Sequence, residues 1–426
     1  MTGVGLAGRN GPIDAVVCVP GSKSVANRAL VCAALVPEGG VSTVEGVPDG
    51  DDCEAMMDAL RICGAVDGSE VRGGRVPGGA ARFHARLAGT TSRFLTAVGA
   101  LSRTGVIIDG EAMLRGRPMA DLHDALRALG ATVESTEGPA GTLPARVTRA
   151  GLRGGTVTIR GDVSSQFVSA LMLLGPCLEG GLNLHLEGEL VSRPYVEMTA
   201  RVMSDFGAVV TVDDAHISVP AGAYRPTRYT VEPDFSSAAF PLLSLAHGHG
   251  TVRVPSLASA RLQGDSVVLE LLGRMGISVR EDGGDIVAHR PYGGPVRGVD
   301  VDLRDASDLV PALAVAACAA SGVTRITGIG FIRGKESDRI ADLVEGLRML
   351  GAQATAHDDG ISVTGGRVRS TGTLRTHHDH RLAMAFSMVA AGGHTVLLDD
   401  GDVVSKSWPG YFEAMKDVLG PVVVED

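Results

Sequence analysis

Residues 126–133 read LRALGATV: the end of a helical stretch, an apolar residue, Gly130, then small and β-branched residues. The same tail recurs as LRICGAV around Gly64, MSDFGAVV around Gly207, LGRMGISV around Gly276, LRMLGAQA around Gly351 and KDVLGPVV around Gly420. Successive members lie roughly 70 residues apart, which marks an internal repeat. A glycine just past the last helical turn predicts a left-handed cap, and β-branched residues after it predict a strand. A second landmark runs in step with the first. Short polar clusters open small-residue helices at Ser24, Ser92, Ser165, Ser237, Asp308 and His380. Two independent series with one period predict six equivalent units along the chain.

Each unit reads as strand, small-residue helix, strand, second helix ending at the glycine, then strands. The first helices, such as SQFVSALMLLG (165–175) and VPALAVAACAA (310–320), are apolar nearly all round and predict burial inside a layer. The second helices mix charged and apolar residues, as in ADLVEGLRML (341–350), and predict a partly exposed position. The expected fold class is α/β (α+β), with two lobes of three βαβαββ units each. One lobe spans 19–231. The other combines 1–18 with 232–426.

Composition narrows the function. Hydrophobic residues are 44% and charged residues 21% of 426, enough for sizeable cores in a globular chain. A formal net charge of -10 and only 4% aromatic residues argue against nucleic acid as a partner. The longest apolar run, residues 309–320, is too short to span a membrane and contains Pro311. The start, MTGVGLAGRNGP, has no basic residue leading an apolar run, so no signal peptide is expected. The cysteines at 18, 32, 53, 63, 177 and 318 form no C-x-x-C pair. They predict small buried residues in a reducing compartment, without structural zinc. A cytoplasmic protein is expected.

Against the acidic background, the motif-like segments carry cations. Pro20-Gly21-Ser22-Lys23-Ser24 is followed by Asn27 and Arg28. Glycine suits a tight turn, Ser24 suits a helix cap, and the helix start adds N–H groups and partial positive charge to Lys23 and Arg28. The segment is not a P-loop. Gly89-Thr90-Thr91-Ser92-Arg93 opens the second unit, and Arg117-Pro118 opens its second helix with Pro118 in the first turn. Ser164-Ser165-Gln166 and Ser192-Arg193-Pro194-Tyr195 serve the third unit. Lys335, Glu336 and Arg339 follow, with Lys335 and Arg339 expected on one helix face, then Arg381 and Lys406. Such an array predicts a cationic cleft for a small polyanion. Asp234, Asp308 and Glu336 sit among these cations. Carboxylates in such a setting stay ionised and can act as bases, although Asp234 and Asp308 also suit helix caps. His377-His378-Asp379-His380 invites a metal, but the adjoining Arg381 would repel one.

Nine segments, in order, carry a resemblance: PGSKSVANRAL, LAGTTSRF, GRPMADLHDALRALGA, DVSSQFVSALML, SRPYVEMT, PDFSSAAF, RGKESDRI, HHDHRLAMAF and KSWPGYF. Together they resemble the 5-enolpyruvylshikimate-3-phosphate synthase family over nearly the whole chain. The resemblance implies an inside-out α/β barrel of the enolpyruvyl transferase type in two lobes. It implies transfer of the enolpyruvyl group of phosphoenolpyruvate to the 5-hydroxyl of shikimate 3-phosphate with release of phosphate, by addition and elimination, in a monomer. No metal or organic cofactor takes part. By motif position, Ser24, Arg28, Ser164, Ser165 and Ser192 hold shikimate 3-phosphate, with Arg193 a further contact and Lys335 helping to place it. Gly89, Arg93, Arg117, Arg339, Arg381 and Lys406 hold phosphoenolpyruvate. Gln166 and Lys23 reach both. Asp308 takes the hydroxyl proton, Glu336 and Lys23 manage the proton on the methylene carbon, and Asp234 assists.

Three positions depart from the family pattern: Leu87 where Asn is common, Phe94 where Pro is common and Phe331 where Asn or His is common. The first two bear on the phosphoenolpyruvate pocket and the third on an acceptor contact. Phe331 would also suit a related transferase of specialised metabolism with another acceptor. The transferase acting on UDP-N-acetylglucosamine carries a catalytic Cys in the loop that here reads EAMLRGRP, without one. A non-catalytic anion-binding protein would be expected to have lost the acids, yet all three remain.

Overall fold

The computed structural model describes residues 3–74, 81–366, 368–369 and 372–424. The chain divides into two compact units, Gly21–Glu232 and Met1–Pro20 with Pro233–Asp426. Among the described residues each contains three four-stranded sheets, and all six sheets share one pattern. Two strands pair in parallel, a third joins the second antiparallel, and a fourth joins the third antiparallel. In the first unit one sheet orders Ala81–His84, Val106–Asp109, Ala145–Thr148 and Thr132–Ser135. A second orders Gly155–Arg160, Leu182–Glu187, His216–Val219 and Thr211–Val212. The parallel pairs need a crossover, and in four of these sheets the small-residue helix supplies it, as Ser165–Leu174 does between Gly155–Arg160 and Leu182–Glu187.

Closure of each unit uses distant chain. Arg228–Thr230, at the end of the first unit, runs parallel to Val41–Glu45 near its start. In the other unit Ile13–Val16 runs parallel to Gly250–Val254. Val4–Leu6 lies between Val396–Leu398 and Val422–Val424, antiparallel to both. Strand faces follow the period of two. In Leu182–Glu187 the three leucines are buried and Asn183, His185 and Glu187 are exposed.

The small-residue helices are buried as their composition predicts. Every residue from Val25 to Ala34 of helix Lys23–Ala34 is buried. So is all of Phe235–Leu243, Val310–Ala317 and His380–Ser387. The second helices bury one stripe: Arg339–Met349 covers Ile340, Leu343, Val344 and Leu347. All six repeat glycines have positive φ, from +65° at Gly64 to +101° at Gly130.

The helix starts differ from expectation in three places. The cap of helix Lys23–Ala34 is Ser22, so Ser24 lies in its first turn. Helix Ala120–Ala128 is capped by Met119, which leaves Pro118 outside it and Arg117 in the connection. Lys335 follows the short 3-10 helix Gly330–Gly334, and helix Arg339–Met349 starts only after its cap Asp338, so Lys335 and Arg339 share no helix face. In each case the helix start lies a few residues from where the local pattern puts it. The cysteines also divide: Cys32, Cys53 and Cys318 are buried, whereas Cys18 is exposed. Among the described residues no helix is long and apolar enough to cross a membrane.

The repeat glycines make a graded prediction. At Gly64 a Cβ would meet nothing within 4 Å, so only backbone strain opposes a side chain. At Gly130 it would stand 2.5 Å from the carbonyl oxygen of Gly151. Gly64→Ala should cost ~1 kcal/mol in urea denaturation, and Gly130→Ala distinctly more, because backbone must also move.

Candidate functional site

In unit Gly21–Glu232 the predicted residues gather at the starts of the buried helices. Lys23 is the first residue of its helix, and its Nζ donates to Asp52 Oδ2 at 2.8 Å. Gly21, just before, is demanded by proximity: a Cβ there would lie 2.1 Å from the Gly46 carbonyl oxygen. Arg28, only 2% exposed, points back along the same helix. Its Nη1 donates to the Ser24 carbonyl at 2.7 Å and its Nε to Thr199 Oγ1 at 2.7 Å. Its Nη2 donates to the Tyr195 carbonyl and Ser169 Oγ. The guanidinium lies 5.3 Å from the Phe94 ring centre and 5.9 Å from that of Tyr195. Burial lowers its pKa to about 10, still cationic at neutral pH. Phe94, one of the departures, therefore supplies an aromatic face to a buried cation.

Three expected phosphoenolpyruvate side chains meet over a fourth expected residue, Gly89. A Cβ built on Gly89 would stand 3.1 Å from Arg117 Nη1, 3.2 Å from Arg93 Nη1 and 3.5 Å from Gln166 Oε1. Arg93 is buried, donates to the Gly89 and Pro118 carbonyls and to Ser92 Oγ, and lies over the Phe167 ring. Gln166 Nε2 donates to Thr90 Oγ1 at 3.3 Å. Ser164 caps helix Ser165–Leu174, accepting from the Gln166 N–H. Ser192, buried and left-handed at φ 55°, caps helix Arg193–Asp205. A non-glycine residue in that region costs of order 1–3 kcal/mol, strain that tends to concentrate at functional sites. Arg193 is brought instead to Glu197 Oε1 at 2.9 Å and Asp214 Oδ1 at 3.0 Å, on the exposed side of its helix.

In the other unit five predicted residues form one ionic network around Arg339. This side chain is 1% exposed. Its Nε donates to Asp379 Oδ2 at 2.6 Å, its Nη2 to Glu336 Oε2 at 2.7 Å and its Nη1 to Asp308 Oδ1 at 3.3 Å. Burial alone would lower its pKa, but the charges of Asp379, Glu336 and Asp308 hold it above the usual range. Glu336 continues to Lys406, whose Nζ donates to Oε1 at 2.8 Å. Asp308 continues to Arg381, whose Nη2 donates to Oδ2 at 2.7 Å. Asp308 lies within the 3-10 turn Ser307–Leu309, whose cap is Ala306, so its carboxylate answers arginines and not its own helix start. Asp234 does cap its helix, accepting from Ser237 N at 3.0 Å and Ser237 Oγ at 2.7 Å. Lys335 Nζ lies 5.8 Å from the centre of the Phe331 ring.

The histidine cluster does not converge. His377 faces Asp342 at 3.6 Å and His378 faces Asp400 at 3.7 Å, while His380 is buried. Among the described residues no group of three or more His, Cys, Asp or Glu could hold a metal ion.

The family model for EPSP synthase (3-phosphoshikimate 1-carboxyvinyltransferase) matches residues 8–415. The chain belongs to the EPSP synthase family. Among its relatives is the 3-phosphoshikimate 1-carboxyvinyltransferase of Methanothermobacter thermautotrophicus, 37% identical over 96% of this chain and 97% of that one. That of Nostoc punctiforme is 36% identical over the same shares. The EPSP synthase structure from Acinetobacter baumannii superposes over 100% of both chains with a TM-score of 0.81 at 27% identity. The enolpyruvyl transferase NikO from Streptomyces tendae shares the fold, with a TM-score of 0.75 at 19% identity over 99% of this chain and 98% of that one. EPSP synthases are transferases, and this chain is one of them.

Within this EPSP synthase chain, sequence reading passed over several partners of the predicted residues. Asp52, in the first turn of helix Asp51–Ile62, holds Lys23. Asp379, 0% exposed, caps helix His380–Ser387 through the Arg381 N–H and also holds Arg339. Thr199, Ser169 and Tyr195 hold Arg28. Acidic residues at helix starts were the available signal, but nothing local names the cation each would meet. Removing one member of a buried pair leaves the other unpaired and typically costs ~3–5 kcal/mol. Asp379→Ala takes the closest carboxylate from Arg339 but leaves Glu336 and Asp308, so the loss in chemical denaturation should lie at or just below the lower end of that range, about 2–3 kcal/mol. A loss below ~1 kcal/mol would mean that Arg339 finds other support.

Proposed function

We propose that the two groups of cations hold the two anionic substrates of the family reaction, and that the carboxylates among them move its protons. The reaction joins phosphoenolpyruvate and shikimate 3-phosphate to give 5-enolpyruvylshikimate 3-phosphate and phosphate, in the shikimate pathway to aromatic amino acids. The observation that carries the residue-level reading is the single network Lys406–Glu336–Arg339–Asp308–Arg381, which alternates cations with carboxylates.

In the proposed chemistry, Asp308 accepts the proton of the 5-hydroxyl while its oxygen bonds to C2 of phosphoenolpyruvate. C3 gains a proton under the control of Glu336 and Lys23. The tetrahedral intermediate then loses a C3 proton and breaks the C2–O bond to phosphate, restoring the double bond. A poor nucleophile needs a base, and the enolpyruvyl carbon becomes electrophilic only on protonation. Arg339, Arg381 and Lys406, with Lys23, Gly89, Arg93, Arg117 and Gln166, are assigned to phosphoenolpyruvate. Lys23, Ser24, Arg28, Ser164, Ser165, Gln166, Ser192, Arg193 and Lys335 are assigned to shikimate 3-phosphate, and Asp234 assists Asp308. A ligand oxyanion that takes N–H groups of Arg381 or Lys406 competes with Asp308 and Glu336 for them. Substrate binding thereby loosens the carboxylates that must exchange protons. The lobe boundaries at 19–231 and at 1–18 with 232–426, a monomeric state and a cytoplasmic location complete the reading.

Phosphate release from phosphoenolpyruvate should depend on added shikimate 3-phosphate. Folded protein that releases none would remove the assignment. Lys23→Met should lower kcat by at least ~10²–10³-fold, the scale for losing one preorganised electrostatic contact, with circular dichroism unchanged. Gly89→Ala places a methyl 3.1–3.2 Å from two guanidinium groups. It should raise KM for phosphoenolpyruvate about tenfold or more, equivalent to ~1.4 kcal/mol, while KM for shikimate 3-phosphate barely moves.

A further inference from the structure

The stretch Gln263-Gly264-Asp265 belongs to none of the nine motifs, yet it grips the segment that carries Asp234. Gln263 brackets that residue from both sides. Its Nε2 donates to the Pro233 carbonyl at 2.7 Å and its Oε1 accepts from the Phe235 N–H at 2.8 Å. Asp265 takes the next position, accepting from the Ser236 hydroxyl through Oδ2. Gln263 and Asp265 are both buried. Helix Phe235–Leu243, which Asp234 caps, packs against both the 3-10 turn Gly264–Val267 that carries Asp265 and the 3-10 turn Ser307–Leu309 that carries Asp308, so the charges that act on Asp265 are those of Asp308, Arg381 and Asp234. A buried carboxyl therefore stands among the acid proposed as base, the arginine that pairs with it and the acid proposed to assist.

We propose that Asp265, anchored on Ser236, is a positioning residue whose charge sets how strongly Asp308 takes the acceptor's proton. This rests on the reading of Asp308 as the base. Two carboxylates in a poorly solvated setting do not ionise independently. Burial first, then the charge of Asp308, pushes Asp265 up to about 7, against the opposing pull of Ser236 and Arg381. Below neutrality Asp265 is a neutral acid and leaves Asp308 a weak base under the influence of its arginines. Above neutrality its negative charge raises the proton affinity of Asp308. The anchor to Ser236 keeps Asp265 facing the same groups in both states.

The test is the pH dependence of kcat from about pH 5 to about pH 9 with both substrates saturating. The wild-type rate should rise through an ionisation near the Asp265 value. Asp265→Asn mimics the neutral acid. Its rate should match wild type within about twofold at acid pH and lack the rise, leaving a several-fold deficit at alkaline pH. Ser236→Ala removes a bond that favours the charged form, so its rise should move to higher pH. Thermal melts without substrate give a second readout. The folded protein keeps a proton that the unfolded chain, with an ordinary Asp near ~3.9, has already released. The stability due to this proton is fully present below that value and lost as pH rises through about 7. Asp265→Asn should therefore gain in Tm relative to wild type across that window. A wild-type pH profile in Asp265→Asn, or a uniform loss of rate at every pH with no relative Tm change, overturns the proposal. Asp308→Asn with wild-type activity removes the base on which it rests, while the melts still report the Asp265 proton separately.

Discussion

A guanidinium almost wholly out of water needs full compensation, because an unpaired buried charge costs several kcal/mol. Arg339 meets that requirement with three carboxylates from three places in the chain: Asp379 before helix His380–Ser387, Glu336 before its own helix and Asp308 on a 3-10 turn. Each partner is then committed in position. Glu336 can reach Lys406 and Asp308 can reach Arg381 because Arg339 has already placed them. The network leaves acids beside the cations proposed to meet an anionic substrate, the arrangement that proton transfer to and from such a substrate demands.

The other unit solves a related problem with less charge. Arg28 is buried without a carboxylate among its hydrogen-bond partners; hydroxyls, carbonyls and aromatic faces receive it instead. Neutral partners leave its positive charge uncompensated locally, which suits a region meant to attract phosphate. Around Gly89 the same economy appears as space: with no Cβ there, Arg93, Arg117 and Gln166 can share one small volume. Charge in one unit and room in the other are complementary ways to receive small, highly charged molecules.

What the sequence made legible was local or periodic. Left-handed glycines after helices and all-apolar helices are dictated by neighbours a few residues away, and both survive in all six repeats. Five of the proposed catalytic and binding residues join in one network centred on Arg339, their motifs standing at the helix starts of two successive repeats. The losses came where a partner is remote. Nothing near Asp52 names Lys23, and nothing near Thr199 names Arg28. Ser24, Pro118 and Lys335 stand a few residues from the helix positions their local pattern suggests. Asp265 escaped as well, since a buried acid is recognised only by what surrounds it.

The strand Val4–Leu6 has consequences for how the chain is made. Both of its neighbours, Val396–Leu398 and Val422–Val424, lie far downstream of it and of the whole unit Gly21–Glu232. Residues 21–232, in contrast, contain all the partners for their own three sheets once Arg228–Thr230 has emerged. Vectorial synthesis thus lets the inserted half fold early, while the half that bears Arg339 stays open until Val396–Leu398 and Val422–Val424 have emerged, with apolar surface exposed for that interval.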